Sequence, residues 1–337
     1  MNFVWIKLML KSLRWLGIAI AFSISGCQVT QTQSNSPHTN AQAYEMSEKA
    51  FSYLSTGFDF IQQTAIDKET IDWIVLREEV FTAAQGAQEA EDTYPALRIA
   101  IAHLNDQHSY LHTSWDIQRN REIVNLPRGE KLTDGISLLA IPTHVDQSDE
   151  VSRSYISAAH HFIRQVVGSC GWVIDLRGNR GGNQGPMIIS LAPFLPSGLD
   201  SYIWSPTSGV SYLYSRSFAE HSSFSYLFSL SKRFPNALKD KPVAVLIDRN
   251  TGSSGEATLV QFLGRANTKT FGTRTSGASS NIHIMYMTDG AILGVANGYF
   301  VDREGKVYRN GIEPDIALGD RNIIDEVTSW LEEVHRC

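Results

Sequence analysis

Three cysteines in 337 residues, at positions 27, 170 and 337, are too few and too scattered for a disulfide framework or a clustered metal site. On sequence grounds Cys170 reads as a buried small hydrophobe and Cys337 as an exposed tail thiol without a role. Proline is sparse at 11, and the 25 glycines follow no period, which excludes fibrous and low-complexity chains. Basic charge is not in excess: 29 Lys+Arg stand against 35 Asp+Glu, a net charge of −6. A duplex-binding protein needs a basic face to displace counterions, so no nucleic-acid partner is expected. What is present is 42% hydrophobic residues, enough for one large domain or two smaller ones.

The first 26 residues read as an address. Lys7, Lys11 and Arg14 precede the apolar stretch Leu16 to Ile24, which is too short for a confident membrane span but suits a secretory signal. The segment ends Ile24-Ser25-Gly26-Cys27, which resembles a bacterial lipobox, and this resemblance implies that Cys27 is lipidated. An ordinary cleaved signal and an uncleaved anchor are the alternatives. Gln28 follows, not the aspartate that often retains lipoproteins at an inner membrane, so a lipid-anchored place in the bacterial cell envelope is expected, at the outer membrane where there are two. Residues 27–41 are polar and read as a flexible tether.

From residue 42 to 130 the pattern is that of a helical subdomain. Ile71, Trp73, Ile74, Leu76, Val80 and Phe81 follow a helical period, with Asp67 or Thr70 as its cap; Tyr94 to Leu104 predicts a second helix. Residues 131–337 alternate between strand and helix. Gly135–Pro142, Gly171–Leu176 and Pro242–Asp248 are short apolar runs of the kind buried on both faces of a sheet, and helices are expected at 186–195, 254–265 and 322–335. The fold class is therefore α/β with a helical N-terminal portion.

Three segments carry chemistry. Residues 173–183 (VIDLRGNRGGN) form a strand and a glycine-rich turn, in which Gly181 and Gly182 could hold an oxyanion with backbone N–H groups. A plain tight turn is the simpler reading, and a phosphate loop is weakened by the missing Walker lysine and by spacing that is not G-x-G-x-x-G. Residues 247–264 place Ser253 and Ser254 at the start of a helix, where a serine is most often a cap but is also placed to serve as a nucleophile. In Leu104–Leu111, His108 sits in a polar turn and has the titration range of a general base. His112 lies four residues on, but no HExxH glutamate accompanies the pair and no metal is expected.

Taken in order, these segments resemble the tail-specific, or C-terminal-processing, serine peptidase family over residues 45–335. IDLRGNRGGN is similar to its D-L-R-x-N-x-G-G turn and TGSSGEA to its T-A-S-x-x-E nucleophile segment. TKTFGTRTSGASSN is similar to its V-G-x-x-T-x-G stretch, and NGIEPDI to its G-x-x-P-D. The resemblance implies a crotonase-like α/β spiral core at 131–337 and a peptide or protein substrate without any cofactor. Aligned on Glu256, it makes Ser253 the nucleophile, leaves a one-residue ambiguity with Ser254, and gives the Ser254 N–H to the oxyanion hole. Ala278 stands where the main branch has its catalytic lysine, and no lysine lies between Lys269 and Lys306. Too few residues separate His108 from the first core strand for a PDZ domain. Both absences resemble the branch that includes the nisin resistance protein, in which a histidine pairs with the serine; His108 falls on that base. Either Glu256 or Asp106 would orient its imidazole.

The resulting expectation is a membrane-anchored serine endopeptidase that works through a Ser–His acyl-enzyme. A catalytically inactive lipoprotein that binds peptides or cell-wall components in the same groove is the alternative. Crotonase-type chemistry on coenzyme A shares the fold, but the Ser/His pair argues against it. Tyr202, Trp204, Tyr212, Tyr214, Phe224 and Tyr226 would line a substrate groove, unless they serve ordinary strand packing.

Overall fold

Helix α1 (Glu48–Thr64) starts where Ser47 accepts a hydrogen bond from the Ala50 N–H, and it buries Leu54, Phe58 and Ile61 on one face. Helix α2 (Trp73–Ala83) is capped by Asp72, whose carboxylate accepts the N–H groups of Ile74 and Val75. Of the caps expected from sequence, Asp67 instead precedes a separate 3-10 turn (Lys68–Thr70) and Thr70 ends it, and Ile74 is 85% exposed rather than part of the buried stripe. Helix α3 (Tyr94–Ala102) completes the helical layer. The structure, a computed structural model, describes residues 41–119, 125–145, 148–195, 201–214, 225, 229, 234–319 and 322–337. The signal segment, Cys27, all but the last residue of the tether, and Phe224 and Tyr226 lie outside the described residues.

After α3 come strand β1 (Tyr110–His112), the short helix α4 (Ser114–Arg119), strands β2 (Arg128–Lys131) and β3 (Ile136–Ala140), helix α5 (Asp149–Gln165) and strand β4 (Gly171–Asp175). Helix α6 (Gln184–Leu191), strands β5 (Ser201–Ser205), β6 (Gly209–Tyr214) and β7 (Val243–Ile247), helix α7 (Ser254–Val260) and strand β8 (Thr268–Gly272) follow. The chain ends with β9 (Ser280–Tyr286), β10 (Ile292–Val301), β11 (Val307–Tyr308), β12 (Ile316–Ala317) and α8 (Ile323–His335).

One sheet runs β12-β8-β7-β4-β3-β2, parallel except for β2. Its central strands are buried on both faces, as their unbroken apolar runs require. Trp172, Ile174, Val245 and Ile247 face a core shared with α5, α6 and α7, while Val173, Ala244 and Leu246 face Val327 and Leu331 of α8. The second sheet is antiparallel and centres on β10, which pairs with β1, β5, β9 and β11. Leu293 and Val295 of β10 pack into the helical layer with Leu54, Phe58 and Leu97. Tyr53 and Tyr94 donate their hydroxyl protons to Asp289 at the tip of the β9–β10 hairpin, pinning that hairpin to α1 and α3.

Helix α5 was not anticipated from sequence. Its buried face carries Ser152 and His160 among Tyr155, Ile156, Ala159 and Ile163, which dilutes the apolar period. Both polar groups are satisfied, Ser152 by His144 at 3.0 Å and His160 Nε2 by the Ile189 carbonyl at 3.0 Å.

The expectation of unpaired cysteines is overturned: Cys170 and Cys337 form a disulfide with their Cα atoms 5.3 Å apart. Its 167-residue separation left no local signal in the sequence. Glycines make the room, since a Cβ on Gly135 would lie 2.6 Å from the Cys337 carbonyl oxygen.

Candidate active site

The site lies beyond the carboxyl ends of β4 and β7, where the loops that follow parallel strands converge. After β7, Asp248 organises the turn: its Oδ1 accepts the N–H groups of Asn250, Thr251 and Gly178, each at 3.0 Å. Burial alone would raise the Asp248 pKa, but these hydrogen bonds outweigh it and hold the carboxyl below its usual range. Gly252 donates its N–H to the Asn179 carbonyl at 2.9 Å, which laces the serine loop to the glycine turn. Ser253 follows with φ 52° and ψ −122°, a conformation that costs a non-glycine residue roughly 1–3 kcal/mol. It fits against the glycine turn because position 181 has no side chain: a Cβ on Gly181 would lie 2.7 Å from Ser253 Cβ.

His108 arrives from the helical layer. Asp106 accepts the N–H groups of His108 (2.8 Å) and Ser109 (2.6 Å), closing the turn after α3. The Ser109 hydroxyl then accepts the Ala296 N–H at 3.0 Å, and β1 pairs with β10, so the histidine is fixed to the antiparallel sheet. Its Nε2 stands 2.9 Å from Ser253 Oγ, and its Nδ1 stands 2.8 Å from Ser280 Oγ at the start of β9. Burial strips hydration from the ring and lowers its pKa to about 4, against the opposing pull of the Asp106 charge and Ser280. The imidazole is thus neutral at pH 7. With Ser280 accepting from Nδ1–H, the Nε2 lone pair faces the Ser253 hydroxyl; this tautomer is assigned from the partners.

Several sequence expectations change here. Ser253 faces the histidine, whereas the Ser254 hydroxyl donates to the Gly182 carbonyl at 2.6 Å. Neither Glu256 nor Asp106 is the partner of Nδ1. Asp106 is spent on backbone N–H groups and Ser109. Glu256 is fully buried and accepts from the Thr275 hydroxyl and the Gly277 N–H, bracing the segment that passes the site. Ser280, which does face Nδ1, was missed, because a serine opening a strand carries no distinguishing pattern.

The oxyanion group also narrows. The Gly181 N–H is committed to Asn179 Oδ1 at 2.9 Å. His144 grips the turn through its backbone, donating to the Gly181 carbonyl at 3.2 Å and accepting the Asn183 N–H at 2.6 Å. These bonds bypass the N–H of Gly182, which makes no hydrogen bond among the described residues, and neither does that of Ser254. Both residues line the cleft with Ser253 and His108, a cavity of about 1200 Å³. Ala278, at the position of the main branch's lysine, lines it too. His112 stacks on Tyr110, ring centroids 4.2 Å apart. Trp204 stacks with Tyr299 and Arg309, away from this cleft.

Residues 136–318, more than half of the chain, match the model of peptidase family S41. The chain belongs to that family. The nisin-resistance protein of Lactococcus lactis subsp. lactis is 27% identical over 284 residues, covering 83% of this chain and 86% of that protein. The structure of a lipoprotein from Streptococcus agalactiae superposes with a TM-score of 0.76 at 22% identity, covering 86% of this chain and 98% of the other. The photosystem II D1 C-terminal processing protease gives 0.57 at 14% identity, over 80% of this chain and 93% of the protease. The fold shared with these structures therefore extends beyond the residues that the family model matches.

Proposed function

We propose that the chain is a serine endopeptidase in which Ser253 is the nucleophile, His108 the general base and Ser280 the group that orients it. The observation that carries this reading is the line Ser253 Oγ, His108 Nε2, His108 Nδ1, Ser280 Oγ, with hydrogen-bond distances of 2.9 and 2.8 Å. Ser253 Oγ forms a bond to the peptide carbonyl carbon as its proton passes to Nε2. The N–H groups of Gly182 and Ser254 hold the oxyanion. The imidazolium returns the proton to the leaving nitrogen as the C–N bond breaks, and a water activated by the same imidazole releases the acid.

Secretion and lipidation at Cys27 would place this activity at the cell envelope. Among the described residues, no helix is long and apolar enough to cross a membrane. The name of the Lactococcus relative makes lantibiotic peptides a substrate to include in any screen.

The test is mass-spectrometric mapping of cleavage in a mixed peptide library that includes nisin, with the mature protein, Ser253→Ala and His108→Ala. Cuts made by the parent and absent from both variants are expected. Cuts that persist in both would overturn the assignment, and no cut by any form would favour a binding protein.

A further inference from the structure

The glycine turn and the serine loop each carry an arginine that the proposed chemistry does not use. Arg180 immediately precedes Gly181, and Arg249 lies in the turn that leads to Ser253; both are exposed and both line the same cleft as Ser253 and His108. The two loops are tied together by the bonds from Gly178 N–H to Asp248 and from Gly252 N–H to Asn179, so each half of this clasp beside the nucleophile contributes one arginine to the cleft. Neither guanidinium has a hydrogen-bond or ion-pair partner among the described residues. Their neighbour Arg177 shows the contrast, held against Asp175 at 2.9 and 2.7 Å.

The acids nearby do not pair with them. Asp248 is occupied by the N–H groups of Gly178, Asn250 and Thr251 and by two side chains. Asp116, the one carboxylate lining the cleft among the described residues, accepts from Thr113 and stands 3.9 Å from Arg98. A chain of net charge −6 thus presents two free guanidinium groups at the mouth of its nucleophile. Guanidinium forks match a carboxylate with paired N–H donors, and a cleft that is partly walled off from solvent strengthens the pairing.

We propose that Arg180 and Arg249 form a carboxylate-binding subsite beside Ser253, which selects peptides carrying an anionic carboxyl group close to the bond that is cut. This rests on the peptidase reading for the nature of the ligand. The carboxylate has two sources, the C-terminus of a peptide or an Asp/Glu side chain, and the proposal covers both.

The experiment measures binding apart from chemistry. Fluorescence anisotropy with Ser253→Ala protein would compare labelled members of the mixed peptide library, nisin included, each as free acid and C-terminal amide, and in paired Asp and Asn versions. About tenfold tighter binding of the acid over the amide, or of Asp over Asn, is expected, and it should shrink as NaCl is raised. The discrimination should fall to about onefold in Arg180→Gln/Arg249→Gln and recover in part in Arg180→Lys/Arg249→Lys, with thermal melts confirming that the variants fold. Equal binding of all pairs overturns the subsite; so does discrimination that survives the double Gln variant. Parallel cleavage assays with the parent serine separate the two readings. Equal cleavage of all pairs leaves the peptidase standing without the subsite. Discrimination in binding without any cleavage keeps the subsite and removes the peptidase, and neither binding nor cleavage of any peptide removes both.

Discussion

Ser280 Oγ lies 2.8 Å from His108 Nδ1, on the opposite edge of the imidazole from Ser253. A hydroxyl occupies the place where a Ser-His-Asp triad has a carboxylate, so the histidine is oriented without a negative charge against its ring. Ser280→Ala should lower kcat about tenfold or more, a loss of ~1.4 kcal/mol per factor of ten, with a smaller change in KM. Ser280→Asp would favour the imidazolium and move the acid limb of the pH profile upward. Unchanged kcat in Ser280→Ala would remove the residue from the mechanism.

The lowered pKa of His108 sets the pH dependence. Only neutral imidazole can accept the Ser253 proton, so kcat/KM should hold from pH 7 down through pH 6 and fall near pH 4. A profile that breaks near 6.5 would mean that the ring is better solvated than its position indicates.

Stability follows the same groups. His108 and His160 both have folded pKa values lowered to about 4 by burial, against about 6.5 when unfolded. Between those values the unfolded chain binds more protons, so their contribution is complete above pH 6.5 and is lost as pH falls through 4. Each contributes on the order of 3 kcal/mol. Thermal melts should show Tm falling steadily from pH 6.5 to 4.

The two adjacent serines should separate cleanly. Ser253→Ala is expected to reduce cleavage at least a thousandfold. Ser254→Ala keeps the backbone N–H and loses only the hydroxyl bond to the Gly182 carbonyl, so a loss of less than about tenfold is expected. The reverse order in a steady-state assay would make Ser254 the nucleophile.

The disulfide lies at the amino end of β4, and the site lies beyond the carboxyl end of the same strand. Cys337→Ser or a reductant should therefore lower Tm by several degrees with little effect on kcat/KM at 25 °C. The closed loop is long enough for a chain-entropy contribution of about 5 kcal/mol, which measured values often fall short of. A Tm unaffected by reduction would show that α8 holds the terminus without the bond.

Much of this site was legible in the residues. The buried strands at 136–140, 171–175 and 243–247 announce themselves as apolar runs, and the glycine turn and Ser253 stand at their ends. His108 was found through its motif. The sequence could not show which side-chain atoms meet, because pairing across distant residues is set by the sheet register. The register of β9 on β10 delivers Ser280, and the bond that the Gly181 N–H donates to Asn179 Oδ1 occupies a donor expected for the oxyanion hole. Glu256 beside the serine reads as a candidate to orient His108, but a helix turn points it into the core toward Thr275.

The order in which the chain supplies the side chains of the proposed Ser253–His108–Ser280 line has a consequence for biosynthesis. His108 emerges early, Ser253 about 145 residues later and Ser280 later still, and the histidine loop is held by β10, which ends at Val301. A nascent or still-threading polypeptide therefore contains the nucleophile before it contains the strand that brings the base to it. On the mechanism proposed above, the chain would be its own zymogen until its last third has folded.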